Sequence, residues 1–95
     1  MATALTNDQI QQKLKQTAGW KAEADKLTKD FKFSDFKSAL AFIVRVGFEA
    51  EDAGHHPELF NVYNTVSIAL ATHDVGGKIT EKDFDLAQRI DSIQS

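Results

Sequence analysis

The sequence predicts an α+β domain: α-β-β-α-β-β-α, a four-stranded antiparallel sheet with three helices packed on one face. Three observations carry this. The strand-like segments come as two adjacent pairs, helix-like segments flank and separate those pairs, and glycines, one proline and capping residues punctuate the boundaries. Strands that follow one another as hairpins pair antiparallel, and helices between the hairpins then cover one face.

Thr6 and Gln9 have the spacing of a capping box and open a short helix with Ile10 and Leu14 on one side. Gly19 closes it. Trp20, Ala22 and Ala24 alternate with Lys21, Glu23 and Asp25, as in a half-buried strand. Leu27, Lys29, Phe31 and Phe33 share one face of the next strand, with Lys29 interrupting its apolar character. Ser34 reads as the cap of the longest helix, helix 34–53, which stops near Gly54. Phe36, Leu40, Ile43, Gly47 and Ala50 form one apolar stripe on it, and Phe42, Val46 and Ala53 form a second line. A helix apolar on two sides exceeds what one small sheet covers, so part of it is expected to pack against another subunit.

Phe60 and Val62, then Val66, Ile68 and Leu70, alternate with polar or small residues as two strands broken near Asn64, the second running Thr65–Thr72. Residues 74–77 read as a loop. Thr80 with Asp83 caps the last helix, which carries Phe84, Ala87, Ile90 and Ile93.

The bulk properties bound the function. A chain of 95 residues makes a single domain, 1–95. A net charge of −3 with only Arg45 and Arg89 as arginines argues against nucleic acid, because phosphate neutralisation needs a cationic surplus. Cysteine is absent, which removes disulfides, thiolate chemistry and Cys-based metal sites. The longest apolar run, residues 39–44, is too short for a bilayer. Residues 1–5 lack a basic region and a long apolar run, so no signal peptide is expected. The expected location is cytoplasmic, with no membrane partner.

All three histidines fall in one constellation: Glu51, His55-His56-Pro57, Tyr63 and His73-Asp74. Imidazole exchanges protons near neutral pH, so three of them beside carboxylates suggest acid–base chemistry. Gly54 and Pro57 would end the long helix just before His55 and His56, at the negative end of its dipole. Glu51, four residues before His55, could orient that ring or hold a substrate amide. His73 at a strand end, beside Gly76-Gly77, could face the same cleft. The plainer readings are a surface His-His loop, an ordinary strand-end turn at Asp74, a helix-capping role for Asp83 and a solvated Glu51. A metal is disfavoured, because adjacent histidines on a turn diverge and no His-x-His or His-Glu-x-x-His pattern occurs.

Glu51-x-x-x-His55-His56-Pro57-Glu58, Asn61-Val62-Tyr63-Asn64, Thr72-His73-Asp74 and Gly76-Gly77, followed by Thr80 and Asp83, resemble the pterin-4a-carbinolamine dehydratase family. The resemblance covers roughly residues 20–90. It implies dehydration of a 4a-hydroxytetrahydropterin to the quinonoid dihydropterin, recycling the pterin of aromatic amino acid hydroxylases, with no cofactor and no metal. It implies His55, His56 and His73 as the catalytic set, with Glu51, Pro57, Thr72 and Asp74 binding the pterin. Homodimers or homotetramers through a sheet edge and helix 34–53 are also implied. Two other roles fit the resemblance: a non-catalytic dimerisation module of the transcriptional coactivator type, and a pterin function tied to the molybdenum cofactor. Leu59 stands where many members carry a tryptophan, and Lys78-Ile79-Thr80 lengthens the loop before the last helix by one residue.

Overall fold

The structure, a computed structural model, describes residues 2–94; Met1 and Ser95, the ends of the predicted 1–95 domain, lie outside the described residues. The elements are α1 (Asn7–Leu14), β1 (Lys21–Glu23), β2 (Lys26–Lys32), α2 (Phe36–Ala53), β3 (Glu58–Val62), β4 (Thr65–Leu70), a 3₁₀ turn (His73–Val75) and α3 (Glu81–Gln94). The order is the predicted one. The strands form one antiparallel sheet ordered β1-β2-β4-β3.

Residues opposite each other in an antiparallel pair share a face. Leu27 faces Leu70 and Phe31 faces Val66, and these with Ile68 build the buried face of the sheet. Ala39, Phe42, Val46 and Ala50 of α2, Phe84, Leu86, Ala87 and Ile90 of α3, and Ile10 of α1 close over that face in one cluster. The β1–β2 hairpin turns on Ala24 and Asp25, with φ of +50° and +65°, between the paired residues Glu23 and Lys26. Two consecutive left-handed residues make a type I′ turn, whose twist matches that of the strands. Ala24 therefore belongs to the turn rather than to the predicted strand.

Four other expectations shift. The cap of α2 is Asp35 rather than Ser34; its Oδ1 accepts a 2.8 Å hydrogen bond from the Ser38 amide. Both apolar lines of α2 are split: Phe42 and Val46 of the second line are buried with Ala39 and with Ala50 of the first stripe, whereas Phe36 and Leu40 of that stripe are 45% and 42% exposed and Ala53 of the second line is exposed. Lys29, which interrupts the apolar face of β2, lies on that face. Its ammonium sits 4.9 Å from the Phe31 ring centroid and 2.8 Å from Asp91 Oδ1 on α3, which also accepts from the Trp20 indole. An aliphatic stem with a paired head lets a lysine serve as part of a core wall. Lastly, β4 ends at Leu70, and Thr72 pairs instead with Lys78 beyond the glycines.

Hydrogen bonds from Ser38, its side chain first and then its amide, hold the Asp35 carboxyl below its ordinary range. A depressed folded-state pKa adds stability that is present above the unfolded value, about 3.9, and is lost as pH falls through the folded one. Asp35→Ala is therefore expected to lower Tm at pH 7, with the gap to wild type closing in acid below the ordinary aspartate range. The α2 faces give a sharper contrast. Phe42→Ala should cost about 3–5 kcal/mol in chemical denaturation. Phe48→Ala, at a position 73% exposed in the single chain, should leave the monomer within about 0.5 kcal/mol of wild type.

Candidate active site

Gly54 adopts φ +64° and ends α2, its N–H reaching Ala50 O and Glu51 O, and the His55 amide bonds Ala50 O at 3.1 Å. This left-handed cap turns the chain away from the helix axis and sets the two adjacent imidazoles at its carbonyl end. The 3₁₀ turn that follows β4 carries His73 and Asp74, and Gly76 closes it at φ +76°. These two chain reversals meet: His55, His56 and His73 line one cleft of about 220 Å³, together with Gly54, Thr72, Asp74 and Lys82.

The rings are held differently. His55 is 8% exposed, and its Nε2 lies 2.5 Å from Oδ1 of Asp83, whose side chain is fully buried. Oδ2 of Asp83 accepts from the Thr80 amide at 2.9 Å and from the Thr72 hydroxyl at 3.0 Å. Thr72 Oγ1 and Thr80 Oγ1 are 2.6 Å apart. Since the single Thr72 proton goes to Asp83, the Thr80 hydroxyl donates to Thr72, while it accepts from the Lys82 amide at 3.2 Å. Every proton in the chain points toward Asp83. Both acceptor directions of Oδ2 are filled, so the carboxylate is left with Oδ1 to receive Nε2–H of His55. That tautomer leaves the His55 Nδ1 lone pair unclaimed; no buried side-chain nitrogen or oxygen among the described residues lacks a partner, so Nδ1 keeps contact with solvent.

His56 is exposed, and its Nε2 lies 2.7 Å from Glu51 Oε1. The expected Glu51–His55 contact is therefore replaced by two carboxylate–imidazole pairs, Asp83–His55 and Glu51–His56. The one-turn spacing favoured His55, but the left-handed residue Gly54 rotates that ring inward and leaves the next ring over Glu51. His73 is exposed and carries no side-chain hydrogen bond among the described residues.

The other predicted site residues divide. Asp74 lines the cleft. Thr72 lines it too, but its polar groups are all engaged: the hydroxyl in the Asp83 network, N–H to Lys78 O, and C=O from Val75 and Gly77 amides. Pro57 is half-buried and outside the cleft lining, Glu51 reaches the cleft only through His56, and Leu59 is 41% exposed on edge strand β3. Tyr63 is exposed at the β3–β4 turn with φ +49°. Two residues emerge only from the structure. Lys82 is a cleft wall, and Asp83, read as a helix-capping carboxylate, both caps α3 and holds His55. The Thr80-x-x-Asp83 spacing signals the first role; nothing in the sequence signals the second.

The fold and cleft define a small α+β protein with a histidine-lined, thiol-free site organised by carboxylates. The chain belongs to the pterin 4 alpha carbinolamine dehydratase family, whose model matches residues 3–93. A protein of Opitutus terrae provisionally named pterin-4-alpha-carbinolamine dehydratase is 50% identical over 93 residues, 98% of this chain and 96% of its own. One of Roseiflexus sp. (strain RS-1), provisionally given the same name, is 45% identical over 98% of this chain and 99% of its own. The crystal structure of a transcriptional coactivator/pterin dehydratase from Brucella melitensis matches with a TM-score of 0.92 at 35% identity, covering 98% of this chain and all of that one (100%). A pterin dehydratase-like protein, described as a RuBisCO assembly factor in the alpha-carboxysome, shares the fold, with a TM-score of 0.63 at 24% identity over 78% of this chain and 84% of its own.

Removing Asp83 would leave a histidine, a hydroxyl and a backbone amide without their acceptor. Asp83→Ala is expected to cost about 3–5 kcal/mol in urea denaturation. In nitrogen-15 spectra of the neutral ring, His55 should carry its proton on Nε2, a preference that Asp83→Ala would weaken.

Proposed function

We propose that this protein dehydrates a 4a-hydroxytetrahydropterin to the quinonoid dihydropterin. The observation that carries this reading is the meeting of His55, His56 and His73 in one cleft, in a chain of this family. The reaction removes the C4a hydroxyl as water: an acid protonates the oxygen, the C4a–O bond breaks, and a base takes the N5 proton as the C4a=N5 bond forms. One proton is given and one is taken, so the site returns to its starting state by exchange between its own groups and solvent.

The imidazoles suit these two tasks. His55 holds its Nε2–H on the buried Asp83 carboxylate at the carbonyl end of α2, and its Nδ1 keeps contact with solvent. We assign it, with His73, the delivery of a proton to the leaving hydroxyl. His56, held by Glu51 through Nε2, has Nδ1 available as the acceptor for the N5 proton. Asp74 would hold the ring's amide and amino groups, Glu51 would act through His56, and the Thr72 backbone would shape the wall. In this role the protein recycles the pterin of aromatic amino acid hydroxylases from the cytoplasm, without cofactor or metal.

Two unpartnered apolar surfaces support assembly as a homodimer or homotetramer. Phe60 and Val62 on β3 are 66% and 59% exposed beside an open sheet edge. Phe36, Leu40, Val44 and Phe48 line one side of α2. The same α2 line favours a second reading, a binding module of the coactivator type. In that case the exposed apolar face carries the function and the histidines are incidental.

The deciding measurement is turnover of enzymatically generated 4a-hydroxytetrahydropterin, followed by ultraviolet absorbance. Acceleration over the spontaneous rate should fall about 10²–10⁴-fold in His73→Ala, the contribution typical of one positioned acid. No acceleration by the folded protein would sink the enzymatic reading and leave the binding module. Asp83→Asn is expected to lower kcat more than it raises KM, because an amide at that position no longer fixes the tautomer and orientation of the His55 ring.

A further inference from the structure

We infer that the tip of the β1–β2 hairpin is a positioning clamp for the histidine cleft, in which Asp25 and Lys26 tie together the two loops that carry the imidazoles. Its effect on turnover rests on the dehydratase reading; the tie itself does not. The two residues are consecutive, yet each pairs with a different loop. Lys78 Nζ donates to Asp25 Oδ2 at 2.9 Å, and Lys26 Nζ donates to Glu58 Oε2 at 2.6 Å. Lys78 follows Gly76-Gly77 and closes the loop that carries His73, its carbonyl accepting from the Thr72 amide. Glu58 directly follows His55-His56-Pro57 and opens β3. Neither Lys78 nor Glu58 has a part in the proton transfers themselves.

The geometry suits a clamp. Lys26 stands opposite Glu23 in the β1–β2 register, but Glu23 Oε1 accepts from the Thr28 hydroxyl and Lys26 instead reaches over β4 to β3. The path is open because Ala69, the β4 residue opposite both Thr28 and Glu58, carries only a methyl group. Ala24 and Asp25 both hold left-handed backbone, and a tight two-residue turn of this kind fixes the direction in which the tip points. The loop it steadies needs such a support. His73 carries no side-chain hydrogen bond among the described residues, so its placement depends on the backbone that bears it. Both ion pairs are exposed, with 38% and 55% of the side-chain surface of Lys26 and Glu58 in water and 50% and 60% of that of Lys78 and Asp25. Each is therefore modest in strength and weakened by salt.

The test measures kcat and KM of the full chain with enzymatically generated 4a-hydroxytetrahydropterin. Beside it, amide hydrogen exchange is followed at Val75, Gly76 and Gly77, whose N–H groups donate to Thr72 O and His73 O. Asp25→Asn with Lys26→Gln removes both ties, and asparagine tolerates the left-handed backbone of residue 25. This double variant is expected to lower kcat about two- to fivefold with KM unchanged, and to speed exchange at the three amides by a similar factor. Raising sodium chloride from about 0.01 M to about 0.5 M should bring wild-type kcat down toward that of the variant and leave the variant flat. Lys26→Glu should lower kcat, and adding Glu58→Lys should restore it, a rescue that mere loss of packing does not give. Unchanged kcat in the folded double variant overturns the clamp and leaves the dehydratase reading standing. If the wild type gives no turnover, the dehydratase reading fails and exchange alone decides the tie: faster exchange in the double variant supports it, and unchanged exchange overturns it.

Discussion

The buried carboxylate of Asp83 is the constraint around which the site is arranged. It accepts from the first amide of the α3 cap, from a hydroxyl just past β4 and from an imidazole just past α2. A single carboxylate thus joins three chain segments that are separate in sequence. A buried charge is tolerated only when its acceptor capacity is filled, and here both oxygens are occupied. The hydroxyl chain from Thr80 through Thr72 makes the arrangement directional, because each group has only one way to place its proton. The 2.6 Å and 2.5 Å separations at either end of this chain belong to one polar network in an otherwise apolar interior.

Much of the fold was legible because it depends on local rules. The capping box at Thr6, the period-2 alternation in β2 and β4, and the left-handed stop at Gly54 each follow from a few neighbouring residues. What escaped was non-local. Both apolar lines of α2 satisfy the helical period equally well, and only the sheet beneath decides which residues are inside. It takes Phe42 and Val46 from one line and Ala50 from the other, together with Ala39, a residue small enough for close helix–sheet approach. Lys29 looked like an interruption because its partner, Asp91, lies 62 residues away on α3.

The site divides along the same boundary. The histidines could be grouped from sequence, since a helix end and a strand end carrying them are punctuated by glycines. Which carboxylate serves which ring could not be read. The spacing of Glu51 from His55 describes a straight helix, and α2 stops being straight at Gly54. The partner that His55 takes instead lies 28 residues downstream. Asp83 also had a sufficient local explanation as a helix cap, and a residue with one adequate role gives no sign of a second. Lys82 was invisible for a related reason: a charged residue in the first turn of an amphipathic helix ordinarily faces solvent.

The two imidazole–carboxylate pairs differ most in their surroundings. His56 and Glu51 keep 67% and 77% of their side-chain surface exposed, whereas His55 and Asp83 keep 9% and none (0%). An exposed ion pair is worth about 0–1 kcal/mol and holds its members loosely, so His56 is free to follow a bound ring. A buried pair with its remaining oxygen already bonded cannot reorient without breaking several contacts, so the direction of His55 Nδ1 is set by the fold before any ligand arrives. Proton delivery to a departing hydroxyl depends steeply on donor placement, while contact with a flat heterocycle gains from a ring that can adjust. Under the dehydratase reading proposed above, the fixed imidazole would suit the donor's role and the adaptable one contact with the ring. This division follows from where the chain buries a carboxylate and where it leaves one in water.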